Sequence, residues 1–231
     1  MRTVLKMKHG NQVQLPAKYQ QDDVRSSDGL VQHFIAQYTK PQEKVFDPFA
    51  GFGTTLLVAE SLGRQGFGLE YLEDRADYIR SVIQSKEHVR CGSALALDTM
   101  AWPVMDFSFT SPPYMSKNNH KEYPFAAYQV TGDGYQQYLQ DIQHVYRQLS
   151  AILKPNAYAV MEISNIINDG IMTPLAWDVA LSVGEVLVLE QEMIVAWEGP
   201  SDAGNYGFGY DHCYCLLFRN SAPYMQPHKP L

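Results

Sequence analysis

Two glycines stand one residue apart in segment 47–55, whose sequence is Asp-Pro-Phe-Ala-Gly-Phe-Gly-Thr-Thr. An apolar pair, Val45-Phe46, precedes the segment and an apolar helical pattern follows it, so the glycines occupy a strand-to-helix turn. Glycine lets the backbone approach a ligand without a side chain between them, and free N–H groups of the first helical turn attract anionic groups. The segment predicts a ligand-binding loop at the carboxyl edge of a sheet.

Two common phosphate-binding loops do not fit this segment. A nucleoside-triphosphate loop needs Lys and then Ser or Thr after its second glycine, and a dinucleotide loop needs a third glycine where this chain has Leu56. The next predicted strand ends in Glu70, and an acidic side chain at that position can accept hydrogen bonds from both hydroxyls of a ribose. Gly92-Ser93-Ala94 follows the third strand and could bind the edge of a purine ring, although this sequence signal is weaker. These places predict a ligand with ribose and adenine; a tight turn without a ligand is the alternative.

The sequence Ser-Pro-Pro-Tyr at 111–114 follows a fourth predicted strand and is the most specific string in the chain. Two prolines remove two N–H donors, so the loop presents acceptors only. The Ser111 hydroxyl and the Pro112 carbonyl can accept the two hydrogens of an exocyclic amine, while the ring of Tyr114 stacks on the planar base. A plain Pro-Pro turn beside a core tyrosine is the structural alternative.

The chemistry of an aromatic amine explains why such a loop is useful. The lone pair of the amine is delocalised into its ring, which makes the nitrogen a poor nucleophile. Two acceptors in a non-planar arrangement pull the nitrogen toward sp³ and free the lone pair for an electrophile. No strong base is required, because the proton becomes acidic only once positive charge develops on nitrogen.

Together the two strings resemble the S-adenosylmethionine-dependent amino-methyltransferases of DNA, the cytosine-N4 and adenine-N6 methylase family. The resemblance extends over about residues 26–218 and includes a closing strand at 210–219. It implies methyl transfer from S-adenosylmethionine, the cofactor, to cytosine N4 or adenine N6. It implies a catalytic loop of Ser111, Pro112, Pro113 and Tyr114. The implied cofactor-binding residues are Asp28, Asp47, Pro48, Phe49, Gly51, Gly53, Thr54, Thr55, Glu70, Tyr71, Ser93 and Ala94.

The elements that must position these loops alternate between short apolar runs and amphipathic stretches. Strands are predicted at 45–46, 66–70, 88–91, 106–110, 158–163, 186–197 and 212–218, and helices at 26–38, 54–62, 73–85, 135–153 and 173–184. This alternation predicts an α/β fold, a single doubly wound, mostly parallel seven-stranded sheet of the Rossmann-like methyltransferase type with an antiparallel C-terminal strand. Residues 1–25 are expected to form an N-terminal arm, and residues 26–231 one methyltransferase domain without a separate target-recognition domain.

Composition limits the classes of protein that fit. Of the 231 residues, 45% are hydrophobic and the formal net charge is −7, which indicates a globular chain without a global positive field for nucleic acid. Three cysteines without ligand spacing predict buried thiols, no metal site and a reducing compartment. Neither a signal peptide nor a membrane span is apparent, so we expect a cytoplasmic protein without membrane partners.

Three functional hypotheses are compatible with the sequence. The first is a methyltransferase acting on DNA, with nucleic acid as partner; a homodimer or a separate specificity partner stays open. The second keeps the chemistry and changes the substrate to RNA, a small molecule or a protein amide, because only 115–134 and 198–211 are free for target recognition. Within the first of these segments, residues 117–121 could contact phosphates. The third is an inactive cofactor-binding subunit that supports a partner.

Overall fold

The computed structural model of the protein describes residues 3–117, 134–198 and 210–221. The strands are β1 (Val4–Lys8), β2 (Lys44–Asp47), β3 (Gln65–Glu70), β4 (Val89–Cys91), β5 (Met105–Thr110), β6 (Leu153–Ile163), β7 (Ile166–Asn168), β8 (Ile171–Thr173), β9 (Val188–Glu198) and β10 (His212–Arg219). The α-helices are α1 (Asp28–Tyr38), α2 (Thr54–Ser61), α3 (Glu73–Val82), α4 (Tyr135–Ile152) and α5 (Leu175–Gly184).

Eight of these strands form one sheet in the order β1-β9-β10-β6-β5-β2-β3-β4. Strands β4, β3, β2, β5 and β6 are mutually parallel, and β10 runs antiparallel to both of its neighbours, β6 and β9. Strand order reverses between β2 and β5, which places the loops after these strands at the switch point where α/β sheets bind ligands. The predicted fold class, a mostly parallel sheet with an antiparallel C-terminal strand, is confirmed.

The sheet has one strand more than the seven predicted. Strand β1 lies within the segment expected to be an arm and pairs in parallel with β9. Its residues alternate between exposed and half-buried, and Leu5 and Met7 pack against the core. Lys6 and Lys8 face outward, which suits an edge strand because charge discourages pairing with another chain. The alternation is only five residues long, and the sequence analysis did not separate it from the polar arm.

A small hairpin also went unpredicted. Strands β7 and β8 pair antiparallel around Asp169 and Gly170, both of which have positive φ. That backbone belongs to a two-residue hairpin turn, for which Asp-Gly is a favoured sequence. Strand β6 begins at Leu153, five residues before the predicted start, because α4 ends at Ile152 and the chain continues directly into the sheet.

The core lies on both faces of the sheet. Helices α4 and α5 cover one face through Tyr138, Ile142 and Val179, and α1 covers the other through Phe34 and Ile35. Aromatic and aliphatic side chains from both layers are removed from water, which supplies the main stabilisation of such a fold. Among the helices of the described residues, none has the length and apolarity that crossing a membrane requires.

Candidate functional site

A cavity of about 350 Å³ opens at the carboxyl ends of β2, β3, β5 and β6. This volume lies in the usual range of small-molecule sites, about 300–1,000 Å³. The cofactor loop predicted at 47–55 and the catalytic loop predicted at 111–114 both contribute to its walls. The lining residues are Val24, Arg25, Ser26, Asp47, Phe49, Ala50, Gly51, Phe52, Thr54, Thr55, Glu70, Arg75, Ser111, Pro112, Pro113, Tyr114 and Glu162.

Asp47 ends β2 and lies at the base of the cavity, 4% exposed. Its Oδ1 accepts the Phe49 N–H at 3.0 Å and the Thr110 hydroxyl at 2.6 Å. Burial raises the pKa of Asp47 to about 6, although the hydrogen bonds from Thr110, Thr55 and Phe49 act in the opposite direction. The carboxyl group therefore joins the start of the cofactor loop to the end of β5, which carries the catalytic loop.

Glu70 ends β3 and holds the glycine loop from the other side. Its Oε2 accepts the Gly51 N–H at 2.8 Å, and its Oε1 accepts the Leu72 N–H at 3.0 Å. Burial raises the pKa of Glu70, and these backbone bonds and the nearby charge of Arg75 lower it. Each carboxylate oxygen has a second lone pair, so Glu70 retains acceptor capacity toward a ligand in the cavity.

Glycine is required at the two positions of the loop for different structural reasons. Gly51 has φ of +58°, and a Cβ built on it would approach only the Phe49 carbonyl oxygen, at 3.9 Å. Because Gly51 lines the cavity, a larger side chain there would fill ligand space. Gly53 has φ of +83°, and its Cβ would lie 2.9 Å from Ile79. Gly53 thus permits close packing of α2 on α3, whereas Gly51 keeps the cavity open.

The catalytic loop begins where β5 ends and is fixed from two directions. The Tyr138 hydroxyl of α4 donates to the Pro113 carbonyl at 2.8 Å, and the Tyr114 hydroxyl donates to the Glu162 carbonyl at 3.4 Å. The Ser111 Oγ lies 3.4 Å from the Tyr114 hydroxyl. Burial raises the pKa of Tyr114 well above its usual value, so the phenol stays protonated. The loop offers oxygen acceptors and an aromatic ring to the cavity.

Most predicted site residues meet in this cavity: Asp47, Phe49, Gly51, Thr54, Thr55, Glu70, Ser111, Pro112, Pro113 and Tyr114. Predicted cofactor residues that lie outside its walls are Asp28, Pro48, Gly53, Tyr71, Ser93 and Ala94. Their assignment to the cofactor stays a prediction.

Two of these outlying residues have clear structural partners. The Asp28 carboxylate accepts the Asn11 side-chain amide at 2.8 Å and the Gln12 N–H at 2.7 Å, so it anchors the N-terminal segment to α1. The Ser93 hydroxyl accepts the Leu95 N–H at 3.1 Å and caps the short 3-10 helix Ala94–Thr99. The Ser93 hydrogen bond is local, whereas the two Asp28 hydrogen bonds connect residues 17 and 16 positions apart in the chain. Neither side chain lines the cavity.

Several lining residues are not among the individually predicted site residues. Val24, Arg25 and Ser26 precede α1 and form one wall, Ala50 and Phe52 belong to the cofactor loop itself, and Arg75 and Glu162 come from α3 and β6. The family resemblance implied that residues 26–38 help to hold the methionine end of the cofactor, and of these residues the structure brings Ser26 to the cavity, together with Val24 and Arg25. The Arg75 guanidinium lies 4.7 Å from the Phe52 ring centroid, a cation–π contact at the cavity edge.

A small apolar cluster of Leu15, Tyr19 and Phe52 packs the segment that precedes the wall residues 24–26 against the cofactor loop. Tyr19 is 6% exposed, its ring lies 5.0 Å from that of Phe52, and its hydroxyl donates to the Asp74 carboxylate at 3.1 Å. We expect Tyr19→Ala to release this wall and raise the dissociation constant for S-adenosylmethionine about tenfold, because a smaller fraction of molecules has the closed site. Calorimetric titration checks this, with Val13→Ala, an exposed change in the same segment, as control. Equal affinity in both variants would contradict it.

The cavity fits the charge and the hydrogen-bonding groups of S-adenosylmethionine, a sulfonium cation with a ribose and a methionine moiety. Three carboxyl groups line it, those of Asp47, Glu70 and Glu162, each less than a tenth exposed. The Thr54 hydroxyl and the Glu162 Oε2 are buried without a hydrogen-bond partner in the described chain. Buried polar atoms of this kind are satisfied when a ligand supplies the partner. The donor and acceptor set therefore suits this cofactor.

Within residues 3–117, 134–198 and 210–221, no cluster of three metal-ligating side chains occurs. We expect methyl transfer to be unaffected by a chelator such as EDTA, since the proposed roles need only oxygen acceptors and an aromatic ring. A single-turnover assay with and without EDTA checks this. Activity lost on chelation and restored by one divalent ion would contradict it.

The comparisons with known proteins agree with this geometry. The family model N6_N4_Mtase, described as DNA methylase, matches residues 12–81, which include α1, the cofactor loop and β3. The resemblance predicted from the motifs is thereby confirmed for the cofactor half, and the catalytic loop lies beyond the matched range. No curated protein sequence matches the chain significantly.

Solved structures share the fold at low sequence identity. TrmN from Thermus thermophilus is 14% identical with a TM-score of 0.59, and the match covers 90% of this chain and 54% of TrmN, so the chain spans about half the length of that protein. A SAM-dependent methyltransferase from Methanosarcina mazei is 9% identical with a TM-score of 0.55, covering 82% of this chain and 97% of that one. A methyltransferase from Pyrococcus furiosus is 12% identical with a TM-score of 0.52, covering 85% and 84%.

The family match and the solved structures relate the chain to methyltransferases in two independent ways. Over residues 12–81 the chain is similar to the DNA methylase family, and it has the same fold as solved S-adenosylmethionine-dependent methyltransferases.

Proposed function

We propose that this protein methylates an exocyclic amino group of a base in DNA, either cytosine N4 or adenine N6. The observation that carries the proposal is that Ser111–Tyr114 and the glycine loop line one cavity. Strand β5, after which the acceptor loop begins, pairs with β2, so the residues that would hold a methyl donor and those that would hold an amine share this cavity. The DNA methylase match over residues 12–81 supports nucleic acid as the substrate class.

The chain's own groups have separable tasks in this proposal. The Ser111 hydroxyl and the Pro112 carbonyl accept the amine hydrogens and hold the nitrogen out of the ring plane. Tyr114 supplies the aromatic face for a base that has been flipped out of the duplex. The Tyr138 bond to the Pro113 carbonyl fixes the loop, so the acceptors need no reorganisation during reaction. S-adenosylmethionine, when bound, supplies the electrophilic methyl group.

Truncating the aromatic ring separates substrate capture from cofactor binding. We expect Tyr114→Ala to weaken binding of the target nucleic acid by about 1–3 kcal/mol, the usual stacking contribution of one base. Cofactor affinity stays near the parent value, because the ring belongs to the loop after β5. Tyr114→Phe is the matched control, since it keeps the ring and removes only the hydroxyl. Equal capture by the alanine and phenylalanine variants, measured by fluorescence anisotropy, would contradict this role.

The proposal is tested by supplying tritiated S-adenosylmethionine with separate pools of unmethylated DNA, RNA and cell protein. Acid-precipitable label in the DNA pool is the expected result. Label confined to RNA or protein would reassign the substrate. Binding of the cofactor without label in any pool would reassign the chain to the role of a cofactor-binding partner subunit.

A second candidate keeps the chemistry and changes the substrate to RNA, a small molecule or a protein amide. Its support is the net charge of −7 together with the short segments left for target recognition. Of the predicted phosphate contacts, Lys117 is described and its Nζ pairs with Asp178 at 2.7 Å. Residues 118–121 lie outside the described residues, as do residues 199–209 of the second free segment, 198–211. The same three pools decide between the candidates.

A further inference from the structure

A buried acidic side chain that the sequence analysis did not single out lies in the wall of the cavity. Glu162 is 2% exposed, belongs to β6 and shares the wall with the catalytic loop. Its Oε1 accepts the Cys213 thiol at 3.5 Å, whereas Oε2 has no hydrogen-bond partner in the described parts of the chain. Burying a carboxylate oxygen without a partner is costly. A ligand N–H in the cavity would satisfy it.

The position of Glu162 in the sheet places it with the substrate half of the cavity. Thr110 pairs with Met161, so Glu162 is level with Ser111 at the first residue of the catalytic loop. Strand β6 is two strands from β2, about 10 Å at ordinary strand spacing, and lies on the side away from the glycine loop. The Tyr114 hydroxyl also donates to the Glu162 carbonyl. The side chain therefore lies beside the groups proposed to hold the amine.

Among the described residues, the groups that act on the Glu162 carboxylate are neutral. Tyr114, Cys213 and Cys215 face it, and burial raises the pKa of each well above its usual value, so all three are neutral near pH 7. Ser26 contributes a hydroxyl, and Arg25 of the same wall is paired with Asp23 at 2.8 Å. Burial also raises the pKa of Glu162, while Ser26 and Cys213 lower it. A carboxylate with a raised pKa is a suitable proton acceptor at physiological pH.

We propose that Glu162 is a further catalytic residue, whose Oε2 contacts the substrate amine and takes its proton during methyl transfer. This inference rests on the proposed function. The amine lone pair forms the new N–C bond, and the C–S bond of the methyl donor breaks with its electron pair going to sulfur. Nitrogen then carries positive charge, and the proton on the side of Ser111, which is level with Glu162, passes to Oε2. The products are a neutral methylated amino group and a protonated Glu162. The proton later leaves to water.

Glu162→Gln tests the proposal because it keeps the shape of the side chain and removes its basicity. Glu192→Gln is the matched control, an exposed residue of β9 whose loss changes the net charge equally. With the nucleic acid pool that the parent labels, the Glu162→Gln single-turnover rate should fall about a hundredfold, with the dissociation constant for S-adenosylmethionine within twofold of the parent. Its Tm should rise by a few degrees, because an unpaired buried charge is removed. The control should match the parent in rate and affinity.

The pH profile distinguishes proton transfer from a structural role. The ionised form of Glu162 accepts the proton, so the parent rate should fall as pH drops through the pKa of this carboxyl group. Asp47, with a pKa of about 6, titrates in the same cavity, but its contribution is common to the parent and Glu162→Gln. We expect the acid limb of the parent profile to be reduced in Glu162→Gln and retained in Glu162→Asp.

Several outcomes would overturn this role. A Glu162→Gln rate within threefold of the parent excludes proton transfer to Glu162. A tenfold loss of cofactor affinity with an unchanged rate at saturating cofactor makes Glu162 a cofactor contact instead. If Glu162→Gln does not fold, the dependence of the single-turnover rate on pH is compared between the parent and Glu162→Asp. Rates that stay constant between about pH 5 and 8 in both proteins overturn the proposal. Failure of the parent to label any pool overturns the proposed function and this inference together.

Discussion

Replacing Gly51 by valine is expected to abolish binding of S-adenosylmethionine while the sheet stays folded. A Cβ at Gly51 meets no atom closer than 3.9 Å, so the added branched side chain extends into the cavity that Gly51 lines. The N–H of Gly51 also donates to Glu70 at 2.8 Å, and a shift of the loop would disturb that acceptor. Calorimetric titration of the folded variant, with folding checked by circular dichroism, measures the effect.

The control for this change must carry the same backbone strain. Gly63 has φ of +73°, a Cβ there meets nothing within 4 Å, and the residue is absent from the cavity walls. Gly63→Val therefore has a similar conformational cost, about 1–3 kcal/mol for a residue held at positive φ, without filling the cavity. We expect it to bind the cofactor like the parent. Unchanged affinity in a folded Gly51→Val protein would reject the assignment of this loop to the cofactor.

Ser111→Ala is expected to lower the single-turnover rate about a hundredfold, because one acceptor of the amine hydrogens is lost. A hydrogen bond to developing charge in a water-poor site contributes about 3 kcal/mol to the transition state. Cofactor affinity should stay near the parent value, since Ser111 belongs to the loop after β5 and not to the glycine loop. Rate and affinity are measured in parallel on the same preparation.

Ser108→Ala is the matched control for this experiment. Ser108 lies on β5, the strand that precedes this loop, is 1% exposed, and its hydroxyl has no hydrogen-bond partner in the described chain. Ser108→Ala also removes one serine hydroxyl, but Ser108 does not line the cavity, so its single-turnover rate should equal that of the parent. If the single-turnover rate of Ser111→Ala equals that of the parent, Ser111–Tyr114 is a structural turn.

The arrangement of the sheet could be predicted because its signals are local. Val45-Phe46 followed by a glycine turn, and the long apolar period of α4, each specify an element within a few residues of the chain. The loops after β2, β3 and β5 then had to meet, since parallel strands align their carboxyl ends. Strand β1 was missed because its alternation is short and the residues it pairs with on β9 are 190 positions away along the chain.

The missed part of the site depends on tertiary placement. Glu162 stands in an apolar strand pattern, Ala-Val-Met-Glu-Ile, where one acidic residue has no spacing signal. Only the pairing of β6 with β5 makes it a neighbour of Ser111. Ser26 likewise reaches the cavity because Asp28 and the Tyr19 cluster fix the segment before α1. The Ser93 hydroxyl, for which a cofactor contact was predicted, accepts a local backbone N–H in a helix cap, and its role toward the cofactor stays a prediction.

The most direct test of the central claim identifies the atom that receives the methyl group. DNA labelled by the parent protein is digested to nucleosides and analysed by liquid chromatography and mass spectrometry, with the Ser111→Ala product as reference. We expect N4-methylcytosine or N6-methyladenine, greatly reduced in the reference. Methyl groups found on a ring carbon such as C5 of cytosine, or on no nucleoside at all, would contradict transfer to an exocyclic amine.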